Sequence, residues 1–518
     1  MEDLVLGIRQ AEQYFSIPTI TAISLTLLIL FLGREAYRTD FPKVPNIPEE
    51  PNWYPFIGHL GALGGRKKEN DATVFSRWGK QLSSGIFQIR IGDQRAIIVG
   101  SWSAVKDIFI SQNNSILDRP YQPGFHDKLG IDLSGSSITE QYKRCRSAAL
   151  KALGKPMWPG YYKLIEPNSV SLMKSLYEKG ENGKVPIEFY PWLRQVIVDL
   201  ALNLTYGARP GDFDDELTKN LLDSLYAITE VRASTTAFRH YVPLLRLFPE
   251  GVSKTMAAEK IRQKHIDKLY NQYLDKVAAG ETPKCIVSSL GSDKLTLEEI
   301  HGTCISLLQA APDTIASGVY QCCAWLCSEE GQPFQAEAYD AILQAYNGDI
   351  ELAWNRAFEE ENVPLIVSLY KETLRFFATS PFNNRRSSKP ISIYGTVIPK
   401  GMMVILNTQA VNHDPDYYPE ATKFNPRRFL DDNAPVPHLS YGVGSRICPA
   451  YQISNRIMSA MLIRLILAFQ MKQVEGTRLP SIDMIDFSDA YGLVALPRAY
   501  DCSFVARDET WLKTKLGA

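Results

Sequence analysis

The segment with the most chemical potential runs His438-Leu439-Ser440-Tyr441-Gly442-Val443-Gly444-Ser445-Arg446-Ile447-Cys448-Pro449-Ala450. Behind it, YQISNRIMSAMLIRLILAF carries apolar residues at helical spacing. Proline suits the first position of a helix, so the spacing predicts Cys448 just before a helix N-terminus. The free N–H groups and dipole there stabilise an anionic sulfur, lower its pKa and favour thiolate as a metal ligand. Gly442 and Gly444 let the backbone turn tightly beneath a flat cofactor, and Arg446 offers a fork for a carboxylate. A buried structural cysteine is the competing reading of a lone thiol. The aromatic, glycine, arginine and cysteine at these intervals weigh against it.

Three further constellations accompany this loop. Glu372 and Arg375 stand three apart in SLYKETLRFFATSPF, on one helical face, and Lys423-Phe424-Asn425-Pro426-Arg427-Arg428-Phe429 follows some way on. Such a pair alone carries little, because surface pairs at this spacing are common and weak. A long helix is predicted from the capping box Thr296-Leu-Glu-Glu299 to a stop near Gly331. Midway, Ala310-Ala311-Pro312-Asp313-Thr314 sets an acid and a hydroxyl in an apolar run, with a proline that kinks the helix. Burying that acid without a partner or a task is costly, although a partly exposed polar step is an equal reading. Finally, Gln141-Tyr142-Lys143-Arg144-Cys145-Arg146 places Lys143 and Arg146 one helical turn apart.

Together these segments resemble the cytochrome P-450 family. Tyr441, Gly444, Arg446 and Cys448 resemble its haem-binding signature, with Tyr441 for the usual Phe and Ala450 for the last Gly. Glu372, Arg375 and Arg428 resemble its structural triad, with Arg427 where Glu is frequent, and Ala310–Thr314 resembles its A-G-x-D-T motif. The resemblance implies a mainly α fold with a small β region, Cys448 as axial ligand of haem b iron, and O2 as co-substrate. Thr314 would then hydrogen-bond dioxygen while Asp313 feeds protons. It further implies that Lys143, Arg146, Arg386 and His438 reach the haem propionates, though each reads equally well as a surface charge. The implied partner is an NADPH–cytochrome reductase.

Those residues need elements to position them. The chain has 518 residues, 22% charged and 45% hydrophobic, an ordinary globular composition. A formal net charge of −1 leaves no electrostatic footprint for nucleic acid. Eight scattered cysteines, with no spacing for a zinc site, exclude a disulfide scaffold. After a short segment (1–16), residues 17–33 read IPTITAISLTLLILFLG, without a charge. Seventeen helical residues rise about 25 Å, within the range of a membrane anchor. Arg34, Arg38 and Lys43 follow the stretch and only Arg9 precedes it, which predicts a single pass with the large domain in the cytosol. The implied membrane is the endoplasmic reticulum. Pro42, Pro45, Pro48, Pro51 and Pro55 make 34–55 an extended, stiff hinge. Residues 56–518 form one catalytic domain, with strand-like text near 85–100 and 391–407 and helical text from about 160 to 380.

Several stretches, LNLTYGARPGDFDDEL and LPSIDMIDFSDAYGLVALPRAYDCSF among them, are similar to fungal phenylacetate hydroxylases. That implies ring hydroxylation of a small, phenylacetate-like aromatic. A tailoring oxygenase acting on a larger fungal natural product is one alternative. Another is a haem sensor or carrier without turnover, which leaves Asp313 and Thr314 without a task. Arg119, Arg232 and Arg239 are candidates for a substrate carboxylate, each expected first at the surface.

Overall fold

The computed structural model describes residues 17–64, 69–120, 131–208, 223, 238–247, 252–431, 438–490, 492 and 494–517. Segment 1–16 and Arg232 lie outside them, and so does the side chain of Arg239. Helix α1 spans Ile17–Tyr37, four residues beyond the predicted anchor. Its Leu25, Leu27, Ile29, Leu30 and Phe31 are more than half exposed. Among the described residues it is the one helix long and apolar enough to cross a membrane.

The proline-rich segment after α1 does not stand free of the body, and it turns at residues 45–47, where Asn46 takes φ 61°. Val44 and Ile47 are buried, and Glu49 bridges Gln88 in parallel. The buried Gln88 side chain accepts from Val44 N (3.0 Å) and donates to Val44 O (2.9 Å) and Ile47 O (2.6 Å). Arg95 Nη1 pairs with Glu49 at 2.6 Å. A proline-rich segment cannot satisfy its own backbone groups, so a buried amide side chain does it from the sheet. The hinge is therefore a docked edge that fixes the end of α1 against the body.

That edge belongs to a four-stranded sheet in which β1 (Ile86–Ile91) pairs antiparallel with β2 (Gln94–Val99). Strand β3 (Asn383–Arg386) and strand β6 (Met403–Leu406) complete it, β6 running parallel to β2 and antiparallel to β3, while β4 (Ile391–Ile393) and β5 (Thr396–Ile398) form a separate antiparallel pair. The sequence text foretells β1, β2 and β6, whose Ile and Val residues are buried. It does not foretell β3, an Asn-Asn-Arg-Arg run that becomes a strand only through its register with β6.

The rest is mainly helical. Helix α2 (Glu140–Ala152), α3 (Trp158–Lys179) and α4 (Tyr190–Tyr206) surround α5 (Leu297–Cys327), which runs 31 residues through the core. Thr296 caps α5 and Glu299 reciprocates, as the capping box predicts. The helix stops at Cys327, four residues before Gly331, where Ser328 takes an extended ψ of 162°; the chain then doubles back so that Gly331 meets the Trp325 carbonyl too closely for any Cβ. Helices α6 (Gln332–Ala345), α7 (Pro364–Phe377) and α8 (Tyr451–Ala468) complete the main core.

Candidate active site

Between α5, α8 and the Cys448 loop lies a cavity with predominantly apolar walls. One wall carries Tyr441, Gly442, Arg446, Cys448 and Ile453; another carries Leu307, Ala310, Ala311, Thr314 and Ile315. Gly442 (φ 74°) and Gly444 (φ 68°) both take the left-handed conformation, so the loop turns where glycine is needed. A Cβ on Gly444 would stand 2.9 Å from Phe109 O. Cys448 N donates to Tyr441 O at 2.8 Å, closing the turn that presents the sulfur.

The sulfur's electrostatics differ from the expectation. Helix α8 begins at Tyr451, not at Pro449, so the sulfur stands three residues ahead of the first turn. Burial pushes the Cys448 thiol up; the Ala450 N–H and the Arg146 charge oppose that only in part. The helix dipole fades within about a turn, and desolvation wins. A bound metal therefore has to displace the proton, which couples ligation to deprotonation.

Four guanidinium groups line the cavity: Arg119, Arg146 from α2, Arg385 from β3 and Arg446 from the loop. Arg446 donates from Nε to Leu117 O (2.8 Å) and from Nη2 to Ser136 O (2.9 Å), with its plane over Tyr142 at 4.0 Å. Its buried Nη1 has no protein partner. Arg146 Nη2 donates to Ile447 O at 2.6 Å. Burial first, then repulsion from Arg446, holds Arg385 down to about 9. Like charges buried together without a carboxylate in the described lining require anions to join them. Two propionates satisfy that demand, so the residues present fit haem.

Not every predicted ligand reaches this cluster. Arg385 lines the cavity and Arg386 does not, because successive strand residues face opposite ways. Arg386 interacts instead with Asp40 and Tyr241 on the other face of the sheet. Lys143 is outward, bound to Glu140 at 2.6 Å, while its helical neighbour Arg146 faces in. His438 is buried outside the cavity lining, its ring 5.3 Å from Tyr441, and burial lowers its pKa to about 3. It is a neutral packing residue. Arg119, expected at the surface, lines the cavity and donates from Nη1 to Asn384 O at 2.6 Å. Two-residue periodicity within NNRR was the one signal available for Arg385, and it needs the strand assignment first.

The acid and hydroxyl on α5 part company. Thr314 lines the cavity, its Oγ1 donating to Ala310 O at 2.7 Å. Asp313 lies outside that lining and accepts from Arg194 Nε of α4 at 2.6 Å, both side chains being about a quarter to a third exposed. A helix turns 100° per residue, so neighbours cannot share one face. Asp313 is thus poised between solvent and the cavity wall, with its charge matched.

Glu372 and Arg375 are fully buried and bidentate, at 2.7 and 2.8 Å. Arg428 Nε joins Glu372 at 3.0 Å. Arg375 Nη1 donates to Asn412 O and Ala421 O, both at 2.8 Å. The Asn412 side chain in turn accepts from Leu439 N (2.8 Å) and reaches Ser440 Oγ (3.2 Å). An unbroken chain of hydrogen bonds therefore links the triad to the Cys448 loop. Arg427 finds its own acid, Glu337 on α6, at the exposed surface.

A family model described as cytochrome P-450 matches residues 48–501. The chain belongs to that family. As a cytochrome P-450 it is a haem-dependent monooxygenase, taking electrons from a redox partner. It is 31% identical over 510 residues to the phenylacetate 2-hydroxylase of Emericella nidulans, covering 95% of this chain and 96% of that one. To the 3-hydroxyphenylacetate 6-hydroxylase of the same fungus it is 26% identical, with 95% of each chain covered. A zebra fish cytochrome P-450 solved with abiraterone shares the fold, with a TM-score of 0.68, 17% identity, and 85% and 100% coverage. Family membership gives the expected mainly α fold with its small sheets, and it sets aside a carrier without turnover.

Proposed function

We propose that the chain hydroxylates a small, phenylacetate-like aromatic, using O2 and electrons passed from NADPH through a membrane-bound reductase. The observation that carries this reading is the shared cavity, with Cys448, Thr314 and four guanidiniums on its walls. The two phenylacetate-type relatives supply the substrate class. Cys448 would hold haem b iron, and Arg146, Arg385 and Arg446 its propionates. Haem, when bound, supplies the activation of dioxygen.

The chain's own residues do the rest. Leu307, Ala310, Ala311 and Ile315 exclude water and present a flat apolar wall to an aromatic ring. The Thr314 hydroxyl, anchored through its proton to Ala310 O, keeps lone pairs free to receive and pass on a proton. Asp313, partly exposed and oriented by the Arg194 guanidinium, would relay protons between solvent and Thr314. Helix α1, with Arg34 in its last turn and Arg38 and Lys43 after it, would hold the body on the cytosolic face of the endoplasmic reticulum.

Product analysis with the haem-loaded chain, reductase and NADPH tests this. Phenylacetate and its ring-hydroxylated forms should each drive NADPH oxidation and yield a product heavier by one oxygen. A panel in which only larger natural products are oxidised would replace this reading with that of a tailoring oxygenase. Product formed without reductase and NADPH would refute the monooxygenase cycle.

A further inference from the structure

Helix α7 ends at Phe377, and the next residue, Ala378, takes φ 41° and ψ 64°. A left-handed alanine is strained, and such strain persists where the surroundings require a particular chain direction. Here it turns the chain so that Thr379, Ser380 and Asn383 all line the cavity, directly ahead of Arg385. The carbonyl of Thr379 accepts from Ala495 N at 2.9 Å, which holds the turn in place. The Thr379 hydroxyl is buried and has no hydrogen-bond partner among the described residues. Neighbouring polar groups are engaged: Asn383 Nδ2 donates to Thr408 Oγ1 (3.3 Å), and Ser306 Oγ to Gly302 O (2.6 Å).

A buried hydroxyl beside a cavity is seldom left unsatisfied, and one step about χ1 exchanges its hydroxyl and methyl positions. The surrounding charge sets which partner it awaits. Arg119, Arg146, Arg385 and Arg446 bring four positive charges to the cavity, no Asp or Glu lines it among the described residues, and two haem propionates would return two negative ones. The surplus is positive, and Arg385, with Arg119 bonded to the neighbouring Asn384 O, brings it to the β3 side that Thr379 leads into.

We propose that Thr379 is a specificity-determining residue, whose hydroxyl donates to the carboxylate of a small aromatic acid held in the surplus positive field beside Arg385. The carboxylate lies at the β3 end, and the ring extends along Ala310, Ala311 and Ile315 toward Thr314. This rests on the phenylacetate-like reading and adds the group that selects the acid over neutral analogues of the same shape.

The test is calorimetric binding to the haem-loaded full chain, with phenylacetate, phenylacetamide and ethylbenzene as probes. The wild-type protein should bind phenylacetate more tightly than either neutral probe. Thr379→Val, nearly isosteric, should weaken phenylacetate about tenfold, the value of one hydrogen bond to a charged acceptor, and leave ethylbenzene within about twofold. Thr379→Ser should recover phenylacetate binding, and KM should rise in Thr379→Val while kcat stays close to the wild-type value. Equal weakening of phenylacetate and ethylbenzene would reduce Thr379 to packing and overturn the proposal. So would phenylacetate binding and turnover that Thr379→Val does not alter, with the proposed function left intact. A wild-type chain that neither binds nor oxidises phenylacetate would overturn both.

Discussion

Replacing Arg375 by lysine keeps the charge and removes the fork. In the native chain this one buried guanidinium satisfies both oxygens of Glu372 and the carbonyls of Asn412 and Ala421. An ammonium has three protons on a single nitrogen and a different reach. Three N–H groups cannot serve four acceptors, so at least one buried acceptor loses its partner, and Arg375→Lys should cost at least about 1–3 kcal/mol. Set against a typical total of about 5–15 kcal/mol, that is a large fraction. Because Asn412 also holds Leu439 and Ser440, the loss should reach the Cys448 loop and lower haem occupancy. Urea unfolding at matched haem loading, with haem absorbance per mole of chain, measures both effects. Arg427→Lys is the control: its pair with Glu337 is nearly half exposed on both sides and should matter by no more than about 1 kcal/mol. An Arg375→Lys protein within about 1 kcal/mol of wild type and fully loaded with haem would refute the argument that geometry, not charge, is what the triad provides.

Further outcomes follow from the same geometry. Arg385→Leu should raise the haem dissociation constant at least tenfold in a transfer assay, because it removes a propionate partner, while Arg386→Leu should leave it within about threefold; the reverse order would contradict the strand register. Thr314→Ala should still consume NADPH but release peroxide in place of product, and unchanged coupling would remove Thr314 from proton delivery. Burial holds His413 at about 4 and His438 at about 3, with His59 and His301 also shifted downward. The unfolded chain binds these protons near pH 6.5 and the native one does not, so stability is intact above about 6.5 and falls with acid. His413 and His438 together should cost about 4 kcal/mol between pH 7.5 and 5. Urea midpoints across that range should fall accordingly, and a flat profile would contradict their neutral burial.

The sequence alone marked out the glycine turns of the Cys448 loop, the triad and the long helix. Each is a local pattern: glycines at a forced turn, an acid and a base one helical turn apart, a capping box before an apolar run. Local spacing fixes such features before any tertiary contact forms, which is why Gly442, Glu372 and Thr296 sit as expected. Tertiary structure decided which cations face the cavity. Arg385 rather than Arg386, and Arg146 rather than Lys143, follow from the register of β3 on β6 and from the rotation of α2 against the loop. It also decided that burial outweighs the helix dipole at Cys448, and that the proline segment docks on Gln88. Those outcomes depend on distant residues brought within a few ångströms of one another, and no spacing along a single chain encodes the direction from which a neighbour arrives.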